Sequence, residues 1–212
     1  NAELSRRRPR GGHGGGLDFK KTIRRGLETG GSFFRLSFRR KRKRRRMLVL
    51  LCDVSGSMLQ FSEFALRFIK SMAEVSDASK IFLFSETLHE VDAFALQNMD
   101  AFRDYVRSSG LYGKGTDLGT ALEQLCARRP SVLGPSTTLL ILSDTKTIDL
   151  SRALADLAEA KRQAGKVLWL NPIPERKWGY VRSIQTVSSL CQMAPCSTLE
   201  ELARACSRLM RQ

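Results

Sequence analysis

From Met47 onward, short apolar segments alternate with segments whose apolar residues recur at helical spacing, and this alternation restricts the fold more than any other feature. Residues 48–52 are continuously apolar, which is typical of a central strand covered on both faces. Similar apolar segments occupy residues 81–84, 138–142 and 167–170, with a shorter one at 88–91. Helical spacing is found at residues 61–76, 96–107, 118–128, 150–164 and 198–210. The sequence therefore predicts an α/β fold: a Rossmann-like, doubly wound and mainly parallel sheet with helices on both faces.

The first 46 residues differ from the rest of the chain in their charge. Residues 1–46 hold 17 Lys and Arg against 3 Asp and Glu, whereas the remaining residues hold 19 against 18. Glycines are dense at residues 11–16, and residues 39–46 are all basic. Dense glycine favours a flexible linker, and a block of like charge is usually solvated and attracts polyanions. We predict a basic, Gly/Arg-rich and partly flexible leader over residues 1–46, and one folded domain over residues 47–212.

The leader contains shorter patterns and leaves three interpretations open. Ile23 and Leu27 are spaced like one helical face, and residues 34–38 alternate like a short strand. The basic run 39–46 is interpreted as a solvated lead-in to the first strand, as a docking segment for an acidic protein surface, or as a nucleic-acid contact.

The cysteine content favours a reducing compartment. The chain has an odd number of cysteines and no Cys-x-x-Cys pair, which is typical of reduced thiols and predicts a cytoplasmic protein. The longest apolar run is far shorter than the roughly 20 residues that a membrane helix needs. The cysteines are Cys52, Cys126, Cys191, Cys196 and Cys206.

Five side chains with hard oxygen ligands follow or flank the predicted strands. Asp53, Ser55 and Ser57 are spaced two apart after the first strand, Thr116 ends a glycine-rich loop, and Asp144 follows the strand at 138–142. In open α/β sheets ligands bind at the carboxyl ends of the strands, where the strand order reverses. Carboxylate and hydroxyl oxygens suit Mg²⁺, Mn²⁺ or Ca²⁺ and disfavour zinc and copper. We predict a divalent-metal site with Mg²⁺ as the first choice and a position open to a carboxylate from another molecule.

The same residues resemble a known metal site. The segment Asp53-Val54-Ser55-Gly56-Ser57 resembles the first motif of the metal-ion-dependent adhesion site (MIDAS) of von Willebrand factor A (VWA) domains. Thr116 resembles the lone threonine of its second motif, and Asp144 resembles its third motif. The resemblance implies a VWA fold in which Ser55, Ser57 and Thr116 ligate the metal directly, while Asp53 and Asp144 ligate it directly or through water.

Other segments are similar to the CoxE-like branch of VWA proteins. They are residues 17–25, the Gly30-Gly31 pair, the basic run and residues 169–172, so the resemblance covers roughly residues 16–205. This branch consists of bacterial or archaeal accessory proteins. They are associated with a MoxR-type AAA+ ATPase and with maturation of carbon monoxide dehydrogenase or related metalloenzymes. The chain departs from the family pattern after Asp144, where Thr145 replaces the usual glycine and Lys146 adds a positive charge that is expected to weaken metal affinity. Thr145 fits this position if its backbone is not left-handed.

These features favour a metal-dependent protein–protein interaction module that is not an enzyme and binds an Asp or Glu carboxylate of its partner. Two alternatives stay open, namely polyanion or nucleic-acid binding through the leader, and a metal-dependent hydrolase. A serine nucleophile needs a base and an orienting group, yet His13 lies in the leader and His89 in a predicted edge strand. The loop at 113–116 also fails the Walker pattern for phosphate binding. For Asp53, Ser55 and Ser57, the alternative to metal binding is capping of the following helix.

Overall fold

The computed structural model describes residues 47–61, 65, 68, 80–92, 95, 98–111, 113–198, 200–202 and 204–205. The leader over residues 1–46, with the helical piece and the strand predicted in it, lies outside the described residues, as does Cys206. Most of the helix predicted over 61–76 lies outside them too, but Ala65 and Phe68 are helical and buried in the core. In the described part of the chain, no helix is both long and apolar enough to span a membrane.

The described strands form one six-stranded sheet in the order β3-β2-β1-β4-β5-β6. Strand β1 pairs in parallel with β2 and β4, and β5 pairs in parallel with β4 and β6. The edge strand β3 is antiparallel to β2. This arrangement confirms the predicted doubly wound, mainly parallel sheet. The strands are β1 (Met47–Asp53), β2 (Lys80–Phe84), β3 (Leu88–Glu90), β4 (Thr137–Leu142), β5 (Lys166–Asn171) and β6 (Gln192–Pro195).

Helices connect these strands and begin at residues that cap them. Asn98, Asp117 and Asp149 each accept a hydrogen bond from the backbone N–H three residues further on, which fixes the starts of three helices. The first of these begins at Met99, whereas residues 96 and 97, where the predicted helix starts, lie outside the described residues. The described helices are α1 (Met99–Ser108), α2 (Leu118–Ala127), α3 (Leu150–Gln163) and α4 (Arg182–Leu190), with 3-10 helices at Gly56–Phe61 and Glu175–Tyr180. Residues 200–202 and 204–205 are also helical, inside the segment predicted at 198–210.

Both faces of the sheet carry an apolar core. Leu50 and Cys52 of β1 point into one core, and Val49 and Leu51 point into the other. Because side chains alternate between the two faces of a strand, a strand with a core on both sides must be apolar throughout. This explains the continuous apolar run that predicted β1.

The reversal of strand order lies between β1 and β4. After β1 the chain builds β2 and β3 on one side, then crosses over to add β4 on the other side, where Cys52 of β1 lies opposite Leu142 of β4. The residues that follow these two strands therefore leave the sheet at the same edge. This edge is where an open α/β sheet presents its ligand site, and it carries Asp53 and Asp144.

Candidate metal centre

The loop after β1 gathers three of the predicted ligands. Asp53 is 1% exposed, and its Oδ1 accepts a hydrogen bond of 2.9 Å from the backbone N–H of Ser55. This turn places the Ser55 Oγ 3.4 Å from the Ser57 Oγ. Ser57 lies in the 3-10 helix that starts at Gly56. Asp53 thus stabilises the loop itself, two residues ahead, and the two hydroxyls lie side by side.

Main-chain hydrogen bonds hold this loop against the glycine-rich loop. The N–H of Gly56 donates to the carbonyl of Lys114 at 2.8 Å, and the N–H of Gly113 donates to the carbonyl of Val54 at 3.2 Å. A Cβ on Gly56 would lie 3.1 Å from the Gly113 carbonyl oxygen, so the approach is close enough to favour glycine. Gly113 also has a φ of 79°, in the left-handed region.

Thr116 follows this glycine-rich loop and is tied to the loop after β4. Its side chain is nearly buried, at 7% exposure, and its carbonyl accepts a hydrogen bond of 3.0 Å from the N–H of Ile148. The N–H of Leu118 likewise donates to the Thr147 Oγ1 at 3.1 Å. The segment that carries Thr116 therefore lies between the loop of Asp53 and the loop of Asp144.

Ser143 connects the first and third loops directly. Its Oγ donates a hydrogen bond of 2.7 Å to Asp53 Oδ2, although the two residues are 90 positions apart. The indole N–H of Trp169 donates to the Ser143 carbonyl at 2.8 Å. Ser143 and Trp169 are both fully buried. The sequence assigned neither a role at the site, and the only signal was a hydroxyl immediately before the predicted ligand Asp144.

The loop after β4 does not meet the condition under which threonine was expected to fit at position 145, namely a backbone that is not left-handed. Thr145 has a φ of 69°, so its backbone is left-handed, a conformation that is strained for a β-branched residue. Its Oγ1 donates to the Asp144 carbonyl at 2.5 Å and lies 2.8 Å from the Ser183 Oγ on α4. These bonds, together with complete burial, hold Thr145 where glycine fits without strain.

The electrostatics at Asp53 favour a cation. The pKa of Asp53 is raised from 3.8 to about 6, because burial and the nearby charge of Asp144 together outweigh the hydrogen bonds from Ser55 and Ser143, which lower it. Asp144 is also buried, at 2% exposure. A cation that contacts both carboxylates would relieve both the burial and the repulsion.

The donor set fits a hard divalent ion. Two carboxylates match the charge of a dication, and three hydroxyls add neutral oxygens, as Mg²⁺, Mn²⁺ and Ca²⁺ prefer. Among the residues that the structure describes, no group of three or more His, Cys, Asp or Glu could hold a metal. The predicted site instead combines two carboxylates with hydroxyl oxygens. The structure brings the three loops together, and the metal ligands stay a prediction: Asp53, Ser55, Ser57, Thr116 and Asp144.

Fold and site together define a class of protein. A mainly parallel six-stranded sheet, with an Asp-x-Ser-x-Ser loop at the reversal of strand order, is the arrangement of a VWA-type domain. A model of the family "VWA domain containing CoxE-like protein" matches residues 1–205. The chain belongs to this family, which confirms the resemblance found in the sequence. The match extends through the basic leader.

Several solved structures are similar to this chain at low sequence identity. The manganese-loaded TRAP protein of Plasmodium vivax is 15% identical over 58% of this chain and 56% of that chain, with a TM-score of 0.42. Proximal thread matrix protein 1 from the mussel byssus, with a zinc-occupied MIDAS motif, is 15% identical over 59% and 37%, with a TM-score of 0.37. The PilB minor pilin from Streptococcus sanguinis is 12% identical over 84% and 64%, with a TM-score of 0.44. The chain spans less than two thirds of the length of each of these proteins. No curated protein matches it.

Proposed function

We propose that this chain is a metal-dependent protein–protein interaction module. Five residues hold a divalent cation, with Mg²⁺ as the first choice, and the partner contributes an Asp or Glu carboxylate. One observation supports this most strongly: Asp53 and Asp144 are buried at the same edge of the sheet, Ser143 next to Asp144 donates to Asp53, and Asp53 accepts from the loop that carries the paired hydroxyls. The five residues are Asp53, Ser55, Ser57, Thr116 and Asp144.

The composition of the site explains why a partner carboxylate would bind there. A bound dication supplies a Lewis-acidic position for one more oxygen ligand. Because the other donors are hydroxyls, Asp53 and Asp144 only balance the charge of the ion, and a further carboxylate adds a single negative charge. The hydrogen bonds from Ser55 and Ser143 fix the orientation of Asp53, so little reorganisation accompanies binding.

An interaction role is favoured over hydrolysis. Nucleophilic catalysis needs a base held by a third group. His89 lies on the edge strand β3 opposite Leu83, and no carboxylate among the described residues forms a hydrogen bond with it. In the glycine-rich loop, the backbone N–H groups of Gly113 and Lys114 donate to the carbonyls of Val54 and Leu111, so these two donors are not available to a phosphate. Any ATP hydrolysis is therefore assigned to a partner.

Family membership supports a specific partner. We propose that the chain acts with a MoxR-type AAA+ ATPase in the maturation of a metalloenzyme such as carbon monoxide dehydrogenase, in the cytoplasm. The thiols of Cys52, Cys126 and Cys191 are free and buried, as expected for a reducing compartment. The alternative function, polyanion binding by the leader, predicts that removing residues 1–46 abolishes binding while Asp53→Ala does not.

A metal-controlled pull-down tests the proposal. The tagged full chain is incubated with native lysate containing a MoxR-type ATPase, in Mg²⁺ or in EDTA, beside Asp53→Ala and the control Asp104→Ala. Asp104 is an exposed carboxylate on α1. We expect the ATPase or its client to be retained by wild type and Asp104→Ala in Mg²⁺ only, and by Asp53→Ala in neither buffer. Retention of the same partner in EDTA, or by Asp53→Ala in Mg²⁺, would show that no metal bridge is involved.

A further inference from the structure

Both carboxylate oxygens of Asp144 are engaged by one residue. The backbone N–H of Lys146 donates to Asp144 Oδ1 at 3.1 Å, and the Lys146 Nζ lies 3.5 Å from Asp144 Oδ2. Among the residues that the structure describes, no other cationic side chain pairs with Asp144 or Asp53. Asp144 is buried, whereas 62% of the Lys146 side chain is exposed. An exposed ammonium group thus forms an ion pair with one of the two carboxylates of the predicted metal site.

The strained turn between them produces this contact. Left-handed backbone at Thr145 turns the chain back, so that the N–H two residues after Asp144 reaches its carboxylate. The same turn directs the Lys146 side chain toward the site. Ser183, through its contact with the Thr145 Oγ1, helps to hold the turn in place. The position of the ammonium group is therefore built into the fold of this loop.

We infer that Lys146 is a displaceable counter-ion of the metal site, an inference that rests on the proposed metal binding. Its ammonium group pairs with Asp144 while the site holds no divalent ion, and it moves into solvent when the ion binds. A lysine has a flexible four-carbon stem, and a half-exposed ion pair contributes little to stability, so the displacement is easy. Lys146 therefore lowers metal affinity without blocking the site.

The displaced ammonium group also affects the partner. After displacement it stays at the rim of the site, because its backbone N–H remains bonded to Asp144 in the turn. A positive charge there favours a partner whose metal-binding carboxylate has a second acidic residue nearby. The Lys146 ammonium group is thus expected to have two effects: it competes with the metal for Asp144, and it attracts an acidic segment of the partner.

The inference predicts two effects of opposite sign in one variant. Lys146→Met retains most of the apolar stem and removes the charge, so Asp144 loses its counter-ion and the metal-free protein becomes slightly less stable. The same change removes a competitor and a repulsive charge, so Mn²⁺ or Mg²⁺ binds about tenfold more tightly at low ionic strength. A residue with a purely structural role would lower both quantities or change neither.

Titration of the full chain with MnCl₂ tests this, with bound metal followed by calorimetry and by the Mn²⁺ spin-resonance signal. The variants are Lys146→Met, Lys146→Arg and the control Lys161→Met, whose lysine lies at the far end of α3 and donates to the Leu190 carbonyl. We expect tighter binding only for Lys146→Met, near wild-type affinity for Lys146→Arg and Lys161→Met, and a smaller difference in 0.5 M NaCl because salt screens the exposed charge. Melting in EDTA should show a lower midpoint for Lys146→Met.

Three outcomes overturn the inference: equal Mn²⁺ affinity in Lys146→Met and wild type, an equal gain in Lys161→Met, or no binding to any variant. The proposed function fails separately. If Lys146→Met binds Mn²⁺ more tightly but partner capture persists in EDTA, the counter-ion stands and the metal-bridged interaction does not.

Discussion

The substitution Asp53→Asn tests whether a buried, uncompensated charge destabilises the metal-free protein. Burial and the charge of Asp144 raise the pKa of Asp53 from 3.8 to about 6. Because its pKa in the fold is higher than in the unfolded chain, Asp53 contributes its full stability below about pH 4. That contribution is lost as the pH rises through about 6. The difference between the folded and unfolded pKa values of Asp53 lowers the free energy of unfolding by roughly 3 kcal/mol at neutral pH.

Asparagine removes this charge and has the same shape. Its Oδ1 can accept the Ser55 N–H as Asp53 does, and its side-chain NH₂ can donate to the Ser143 Oγ, which reverses the direction of that hydrogen bond. In EDTA at pH 7.5, we therefore expect Asp53→Asn to be more stable than wild type by up to roughly 3 kcal/mol, or about 6–12 °C in melting midpoint for a domain of this size. At pH 4 the two proteins should melt together. Saturating Mg²⁺, at 100 times its Kd, should stabilise wild type by about 2.7 kcal/mol and the variant not at all.

Thermal and urea unfolding followed by circular dichroism provide the measurement, at several pH values with and without metal. Asp104→Asn, at an exposed position on α1, controls for the change of net charge. If Asp53→Asn in EDTA is no more stable than wild type at pH 7.5, or if the difference is the same at pH 4, the buried charge does not destabilise the fold and the reasoning is wrong.

Three further substitutions probe the support of the site and the packing of the sheet. Ser143→Ala removes a hydrogen-bond donor to Asp53, so we expect the free energy of unfolding to fall by about 1–3 kcal/mol and Mn²⁺ binding to need a higher pH. An unchanged pH profile of Mn²⁺ binding would contradict this. Trp169→Phe loses the hydrogen bond to the Ser143 carbonyl and should cost about 1–3 kcal/mol in urea unfolding while β5 stays packed. Gly165→Ala places a Cβ against a backbone carbonyl of the turn before β4 and should cost more than about 3 kcal/mol, whereas the control Gly134→Ala, with its nearest neighbour at 3.9 Å, should cost under about 1 kcal/mol.

The central strands could be predicted because their burial leaves a strong pattern. Residues of β1 and β4 meet a core on both faces, so their apolar runs are continuous and their ends fall within a residue or two of the prediction. Elements at the margin of the sheet leave weaker patterns. In α4 only Ile184 and Val187 are buried, and β6 is a four-residue edge strand that ends in proline, so neither was predicted.

The candidate site was predicted as a set of residue types but not as a network. The spacing of Asp53, Ser55 and Ser57 is local and can be read directly from the chain. The bond from Ser143 to Asp53 spans 90 positions, and it depends on the pairing of β1 with β4, which the sequence alone does not specify. The contact of Lys146 with Asp144 likewise depends on the left-handed backbone of Thr145, a conformation that the residue type does not predict.

Backbone hydrogen bonds hold the three loops of the candidate metal site against one another at the carboxyl edge of the sheet. These bonds join backbone N–H and carbonyl groups, which every substitution other than proline retains. The bonded pairs are Gly56 with Lys114, Gly113 with Val54, and Ile148 with Thr116. Substitutions that replace individual ligand side chains therefore leave the three loops in the same arrangement, so the preferred ion can change without a change in the backbone. Under the proposed function, the same backbone would present one partner interface either with or without a bridging metal ion.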